Sequence, residues 1–342
     1  LLTEPDCVRL AAAHNAGANT LDNQSRVPVV ASSNCNLQSE RVRQQVRYHT
    51  ALELRNQAAA QALERFFQLS DAEVRTDLLR QAFPILDGLL SKARAAAEAG
   101  VRFPLEVADL ERQRSQLESQ LVQAEFGSSL LNIDLKRRLG LSSVPTEERL
   151  WPGGDFRIDP QPVDVEQAAT AALADRPELR GLRALYHGLT LETLPEFREG
   201  IPGGTTGAMS NRLTRFLTRK RGPDPATLAE LEVRRKQLFD LIVDRERMVA
   251  DEARAAALAV NTQRIQAALA QDRLAYWDDR LADAVKKRAA NQPGSDLLEA
   301  QVRLEWLKAK AELAAEVAAW HAARVRLRAA QGRLVWDILE PR

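Results

Sequence analysis

Counting in sevens from Trp306 gives Trp306, Leu313, Trp320, Leu327 and Leu334; three positions further on stand Ala309, Glu316, Ala323 and Ala330. A large seam beside a mostly small one is a heptad pattern, and it predicts one long helix over residues 297–337. A stripe this narrow stabilises nothing alone, so the helix needs a partner along its length. Earlier, residues 37–99 carry Val42, Val46, Ala51, Leu54, Leu63, Phe67, Leu78, Leu86 and Leu90 at helical spacing. Ser70 with Glu73 matches a capping box there, and Pro84 lies inside the run, which predicts one or two kinks or breaks. Leu110, Leu117, Ala124 and Leu131, beside Leu121 and Leu135, predict a further helix over 104–138, and another long pattern covers 226–291.

Turn chemistry cuts these helices into pairs. Gly100 supplies a left-handed helix stop and Pro104 opens the next helix at its first turn. Gly140 ends that helix. Asn291, Gln292, Pro293, Gly294 and Ser295 form the corresponding turn in the second half. Before the first long helix, residues 6–26 read as a short helix broken by Asn15 and Gly17. After Gly140, residues 142–163 hold Pro145, Pro152, Pro160 and Pro162 with Gly153 and Gly154, the marks of a connector. A helix over 164–174 follows, then Asp175 as cap and Pro177 opening a helix to about residue 194. Long helix, turn and heptad helix recur at an offset of roughly 190 residues, so Glu106, Val107 and Leu110 answer to Asp296, Leu297 and Ala300. The expected fold is all-α: two repeated long antiparallel helical hairpins, at 1–141 and 164–342, with little or no β-strand.

Composition agrees with long helices: aromatic residues make up 5% of the chain. The 48 Lys and Arg balance 47 Asp and Glu, a net charge of +1 that gives no general pull toward nucleic acid. No apolar run is long enough for a membrane-spanning helix. The chain opens on Leu1 without a basic-then-apolar leader, as a cleaved or trimmed chain would. Cys7 and Cys35 flank a polar stretch; in an oxidising compartment they would bridge, and in the cytosol they would be two small buried residues.

Catalytic signatures are missing. His14, His49, His187 and His321 are isolated, without zinc-site spacing. No phosphate-binding loop or nucleophile elbow occurs, and the glycines from Gly200 to Gly207 read as a loop. Trp306 and Trp320 sit at heptad spacing as core residues. The expectation is a protein with no enzymatic activity, cofactor or metal.

Three stretches carry a resemblance: a tip turn followed by an alanine- and leucine-spaced helix (Gly100 to Leu141, Gln292 to Leu334); Arg176, Pro177, Glu178 and Leu179 after an alanine-rich helix; and the ending Leu139, Gly140, Leu141. In their order and spacing the chain resembles the TolC-like outer-membrane efflux proteins over nearly its whole length. The resemblance implies a homotrimeric periplasmic α-barrel, associated with the outer membrane, acting as a passive duct for exported substrates. It also implies a periplasmic adaptor docking at the tip turns Gly100, Val101, Arg102, Phe103 and Gln292, Pro293, Gly294, Ser295, with an inner-membrane pump beyond it. Asp296 and Glu299 match acidic rings that some members carry inside the tip, where symmetry would gather carboxylates into a cation-favouring ring. By spacing alone they are equally a helix cap and its capping-box partner.

The family inserts membrane strands of about 9 to 11 alternating residues in each repeat. Here those places hold only residues 27–36 and 196–225, so the sequence predicts a chain without its β-barrel strands, through evolution or trimming. The second segment contains Arg212, Arg215, Arg219, Lys220 and Arg221 around Leu213, Phe216 and Leu217. It reads either as a contact with the inner leaflet of the outer membrane or as a solvated basic loop. The alternative function is a barrel-less structural or adaptor-like coiled-coil protein of the cell envelope without transport activity.

Overall fold

The computed structural model describes residues 1–27, 37–145, 147–154, 156–194 and 224–336. Among these, eight helices form: α1 (Glu4–Ala13), α2 (Ala16–Ser25), α3 (Leu37–Glu98), α4 (Val107–Arg138), α5 (Val165–Asp175), α6 (Pro177–Gly188), α7 (Pro225–Ala289) and α8 (Ser295–Ala330). The described residues contain no strand, only an isolated parallel bridge between Leu2 and Pro152. Among the described residues no helix is long and apolar enough to cross a membrane. Both segments expected to replace the membrane strands lie largely outside the described residues.

Several helix limits differ from the sequence expectation for local reasons. Residues 6–26 divide into two helices because the Asn15 side chain accepts the Ala18 amide at 2.8 Å and caps α2. α3 runs unbroken for 62 residues with Pro84 inside it. Its Glu73 caps nothing: the side chain is buried and accepts the hydroxyl of Ser128 on α4. Pro104 stands ahead of α4, whose N-cap is Glu106. Arg176, not Asp175, takes the N-cap of α6, with Pro177 in its first turn, and that helix ends at Gly188. α8 stops at Ala330 because Gly332 turns left-handed at φ 72°.

The chain forms two compact units, and neither follows one half of the sequence. The first comprises residues 1–11, 58–165 and 255–328. Within it, α3 and α4 run antiparallel, tied by Arg94–Glu111 at 2.7 Å, Arg80–Glu125 at 2.7 Å and Arg65–Asp134 at 2.9 Å. α7 and α8 form the second hairpin through Arg273–Glu312 at 3.2 Å and the Trp306 indole donating to Asp278 at 2.6 Å. α3 also lies antiparallel to α8, through Lys92–Asp296 at 2.7 Å and Glu64–Arg326 at 2.6 Å. By these ties adjacency runs α4, α3, α8, α7, and Leu110 of α4 also shares an apolar cluster with Leu297, Ala300 and Leu304 of α8. Leu86, Leu89, Leu90, Ala93 and Leu110 make one apolar cluster in this unit, and Leu78, Ala82 and Leu307 another. Away from the hairpin turns, Phe67 stacks on buried His321 at 4.8 Å between ring centres, with Phe66, Phe156 and Trp320 around them.

The second unit comprises residues 12–57, 166–254 and 329–342. Apolar clusters form around Val42, Leu189, Leu194, Leu231 and Leu238, and around Ala172, Leu179, Val249 and Ala253. Its polar centre is Arg176. The guanidinium lies 3.0 Å from Glu178, 2.9 Å from Glu252 and 3.9 Å from Glu53, and donates to the Ala330 carbonyl at 3.0 Å. Arg245 holds the other oxygen of Glu178 at 2.8 Å. Burial pushes the Glu53 carboxyl above its ordinary range, an effect that Arg176 opposes. Asn56, also buried, donates to the Ala329 carbonyl at 2.9 Å and accepts the Leu334 amide at 3.3 Å. A Cβ on Gly332 would lie 2.7 Å from Pro177, so the turn after α8 is close-packed as well as left-handed.

Candidate functional site: hairpin tips and outer arms

The two tip turns use one stop motif built on different residues. At the end of α3, Gly100 bonds Ala97 and Val101 bonds Ala96, at 3.1 and 2.8 Å, with Gly100 at φ 67°. At the end of α7, Asn291 bonds Arg288 and Gln292 bonds Lys287, at 2.9 and 3.1 Å, with Asn291 at φ 52°. Both are Schellman closures, and asparagine tolerates the left-handed position better than other residues with a side chain. Gly294, at φ 77°, then turns the chain into α8.

Gly100, Val101, Arg102, Gln292, Pro293 and Gly294 are exposed, whereas Phe103 is half-buried against the first apolar cluster and Ser295 is buried. Three of the four expected docking residues at each tip are thus open to solvent. Asp296 and Glu299 lie within the first turns of α8, and both are paired inside the chain. Asp296 bonds Lys92 of α3 at 2.7 Å and lies 3.1 Å from Arg288 of α7. Lys92 and then Arg288 hold its carboxyl below the usual range. Glu299 is 5% exposed and meets Arg288 at 3.0 Å and Arg303 at 3.4 Å. Carboxylates and cations thus alternate from α3 across α8 to α7. A groove of about 640 Å³ runs beside them, lined by Pro84, Gly88, Trp306 and Leu307 among others.

Cys7 is buried in α1, and burial pushes its thiol up to about 12. Cys35 lies outside the described residues, and so do Arg212, Arg215, Phe216, Arg219, Lys220 and Arg221. No group of three or more His, Cys, Asp or Glu among the described residues is placed to hold a metal ion.

Sequence reading missed the outer arms. On α4, Val122, Phe126, Leu130 and Ile133 share one face; on α7, Leu258, Ile265, Leu269 and Tyr276 do the same, and all eight are between 48 and 65% exposed. Phe126 is nine residues from buried Leu135, and Leu269 nine from buried Val260. Nine residues are two and a half helical turns, so each stripe faces away from its own core. The signal lay in the composition of α4: these four residues fall outside its heptad seam, so its apolar positions go round the helix.

No protein-family model and no curated protein matches the sequence. Solved structures do. The CmeC outer membrane channel of Campylobacter jejuni matches with a TM-score of 0.59 at 12% identity, over 89% of this chain and 70% of that one. The MtrE outer membrane channel of Neisseria gonorrhoeae, in its open state, matches at 0.57 and 11% over 96% and 88%. The fold is that of the outer-membrane channels. A third, the outer-membrane channel OprN, matches at 0.60 and 11% over 95% and 86%. These proteins are channels and not enzymes. The likeness extends over nearly the whole chain and is one of backbone architecture, since identities of 11 to 12% leave few side chains shared.

Proposed function

We propose that the protein is the duct-forming component of an export system in the cell envelope: copies assemble round an axis, three in the complete form, and substrates pass without catalysis. The observation that carries this reading is the pair of outward apolar stripes on α4 and α7. Eight large apolar side chains in two ordered stripes amount to a patch that a solitary soluble chain rarely shows to water. The channel fold shared with solved outer-membrane channels supplies the second support. In this reading Gly100, Val101 and Arg102, with Gln292, Pro293 and Gly294, meet a periplasmic adaptor that connects to an inner-membrane pump. The protein then resides in the periplasm beside the outer membrane. Asp296 and Glu299 act first as ties between α8 and its neighbours, and a ring of free carboxylates forms only where those ties open.

Native mass by light scattering tests the reading. A sharp trimer is expected. A monodisperse monomer over a wide concentration range would favour the envelope coiled-coil protein without transport.

A further inference from the structure

Inside the first unit, α3, α4 and α8 leave a half-open groove of about 910 Å³ between them. Leu110 and Leu117, from the heptad seam of α4, line it together with Leu78 and Leu86 of α3 and Leu304 and Leu307 of α8. The lining follows α3 from Asp71 to Leu89, about 27 Å of helix. That volume over that length makes a slender trough, suited to one extended hydrocarbon chain rather than to a broad ring system. Keeping water on such a floor is unfavourable. Largely apolar walls with a few polar groups to fix orientation are the usual form of a small-ligand site.

The polar groups decide what the groove can take. Gln113, Gln116, Gln120 and Gln301 also line it and are exposed, offering hydrogen bonds without charge. Two of the lining carboxylates are already answered, Glu305 by Lys308 at 2.6 Å and Glu312 by Arg273 at 3.2 Å. Asp71 differs. Among the described residues it forms no hydrogen bond or ion pair, and Arg75, one helical turn away, acts on it only at longer range. Burial pushes the Asp71 carboxyl above its ordinary range, and a cation brought against it would offset that cost. Arg75 is exposed and Asp71 half-buried, so water screens the cation more than the carboxylate. Negative charge therefore prevails at this end of the groove.

We propose that the groove binds a single-chain amphiphile with a cationic head, the chain lying along the leucine floor toward the tips and the head meeting Asp71. An alkylammonium is the simplest member of that class: its N–H groups donate to the carboxylate and to the amide oxygens of the glutamines. The whole lining belongs to one unit of one chain. The site therefore goes beyond the duct reading and does not depend on assembly.

Isothermal titration of the full chain with dodecylammonium, kept below its micelle-forming concentration, tests the site. One saturable site per chain is expected, with dodecanoate, of equal length and opposite charge, binding more weakly. Asp71→Asn should weaken dodecylammonium about tenfold or more, because a hydrogen bond to a charged group is lost. Removing an unpaired, half-buried charge does not threaten the fold, so this variant should melt no earlier than the parent. Arg75→Ala removes the competing cation and should tighten dodecylammonium. Ala315→Phe sets a ring into the groove from an exposed position and should abolish binding, with circular dichroism checking that the helices remain. No saturable binding of dodecylammonium would overturn the proposal. Equal binding of the two amphiphiles, unchanged by Asp71→Asn, would overturn the cationic head and favour a protein helix as the occupant. Dodecylammonium bound undiminished by a folded Ala315→Phe variant would overturn the groove as its site.

Discussion

The first unit distributes its stability and the second concentrates it. Between Glu64 and Arg326 at one end and Lys92 and Asp296 at the other, the first unit is sewn by a long series of ion pairs, most with both partners open to solvent. Each contributes little, because solvent screens the charges and ordering two long side chains costs entropy. The second unit gathers three carboxylates and the end of α8 around one guanidinium, with Asn56 holding the same chain end. A unit held by many weak ties tolerates the loss of any one of them. A knot at which several elements meet depends on each partner.

Substitutions can break or sharpen that contrast. Arg176→Ala leaves Glu53, Glu178 and Glu252 without their shared cation; breaking a buried pair costs about 3 to 5 kcal/mol, to be read from urea denaturation. Asn56→Ala strands a carbonyl and an amide in the core, a loss of about 1 to 3 kcal/mol by the same measurement. Glu53→Gln has the opposite sign at neutral pH. The folded carboxyl titrates above its unfolded value of about 4.5, so wild-type stability falls as pH rises from there through the folded value. The variant should lose that dependence and exceed wild type above it, a difference that pH-resolved melting curves would reveal. In the first unit, Gly88→Ala should raise stability by about 0.5 to 1 kcal/mol, because a Cβ there meets nothing within 4 Å. Lys92→Ala should leave the melting midpoint unmoved, its partner Asp296 being half-exposed. A large loss from Lys92→Ala would erase the contrast.

Much of this architecture was legible in the sequence. The seams of Trp320 and Leu327, of Leu110 and Leu135, and the stops at Gly100 and Gly140 depend only on spacing and backbone freedom, which a linear reading captures. Contacts across the fold were another matter. Ser70 and Glu73 matched a capping box because the pattern is local, yet Glu73 is used by Ser128, 55 residues away. Asp296 and Glu299 likewise satisfied a local rule, while Lys92 lies 204 residues from Asp296. Pro84 suggested a break, but α3 continues through it, with Leu86, Leu89 and Leu90 buried just beyond. Arg176 and Pro177 stood out as a motif without any indication that Glu252 and the carbonyl of Ala330 would converge there.

The paired bonds of Asn56 also bear on how the chain is made. The amide that meets its side-chain oxygen belongs to Leu334, 278 residues downstream. A nascent chain emerging from the ribosome must extend as far as Leu334 before that side chain finds its partner. Until then α3 carries an unanswered asparagine and the knot around Arg176 lacks the end of α8. Contacts so distant in sequence form late and slowly, so a chain cut short of Leu334 cannot tie the second unit.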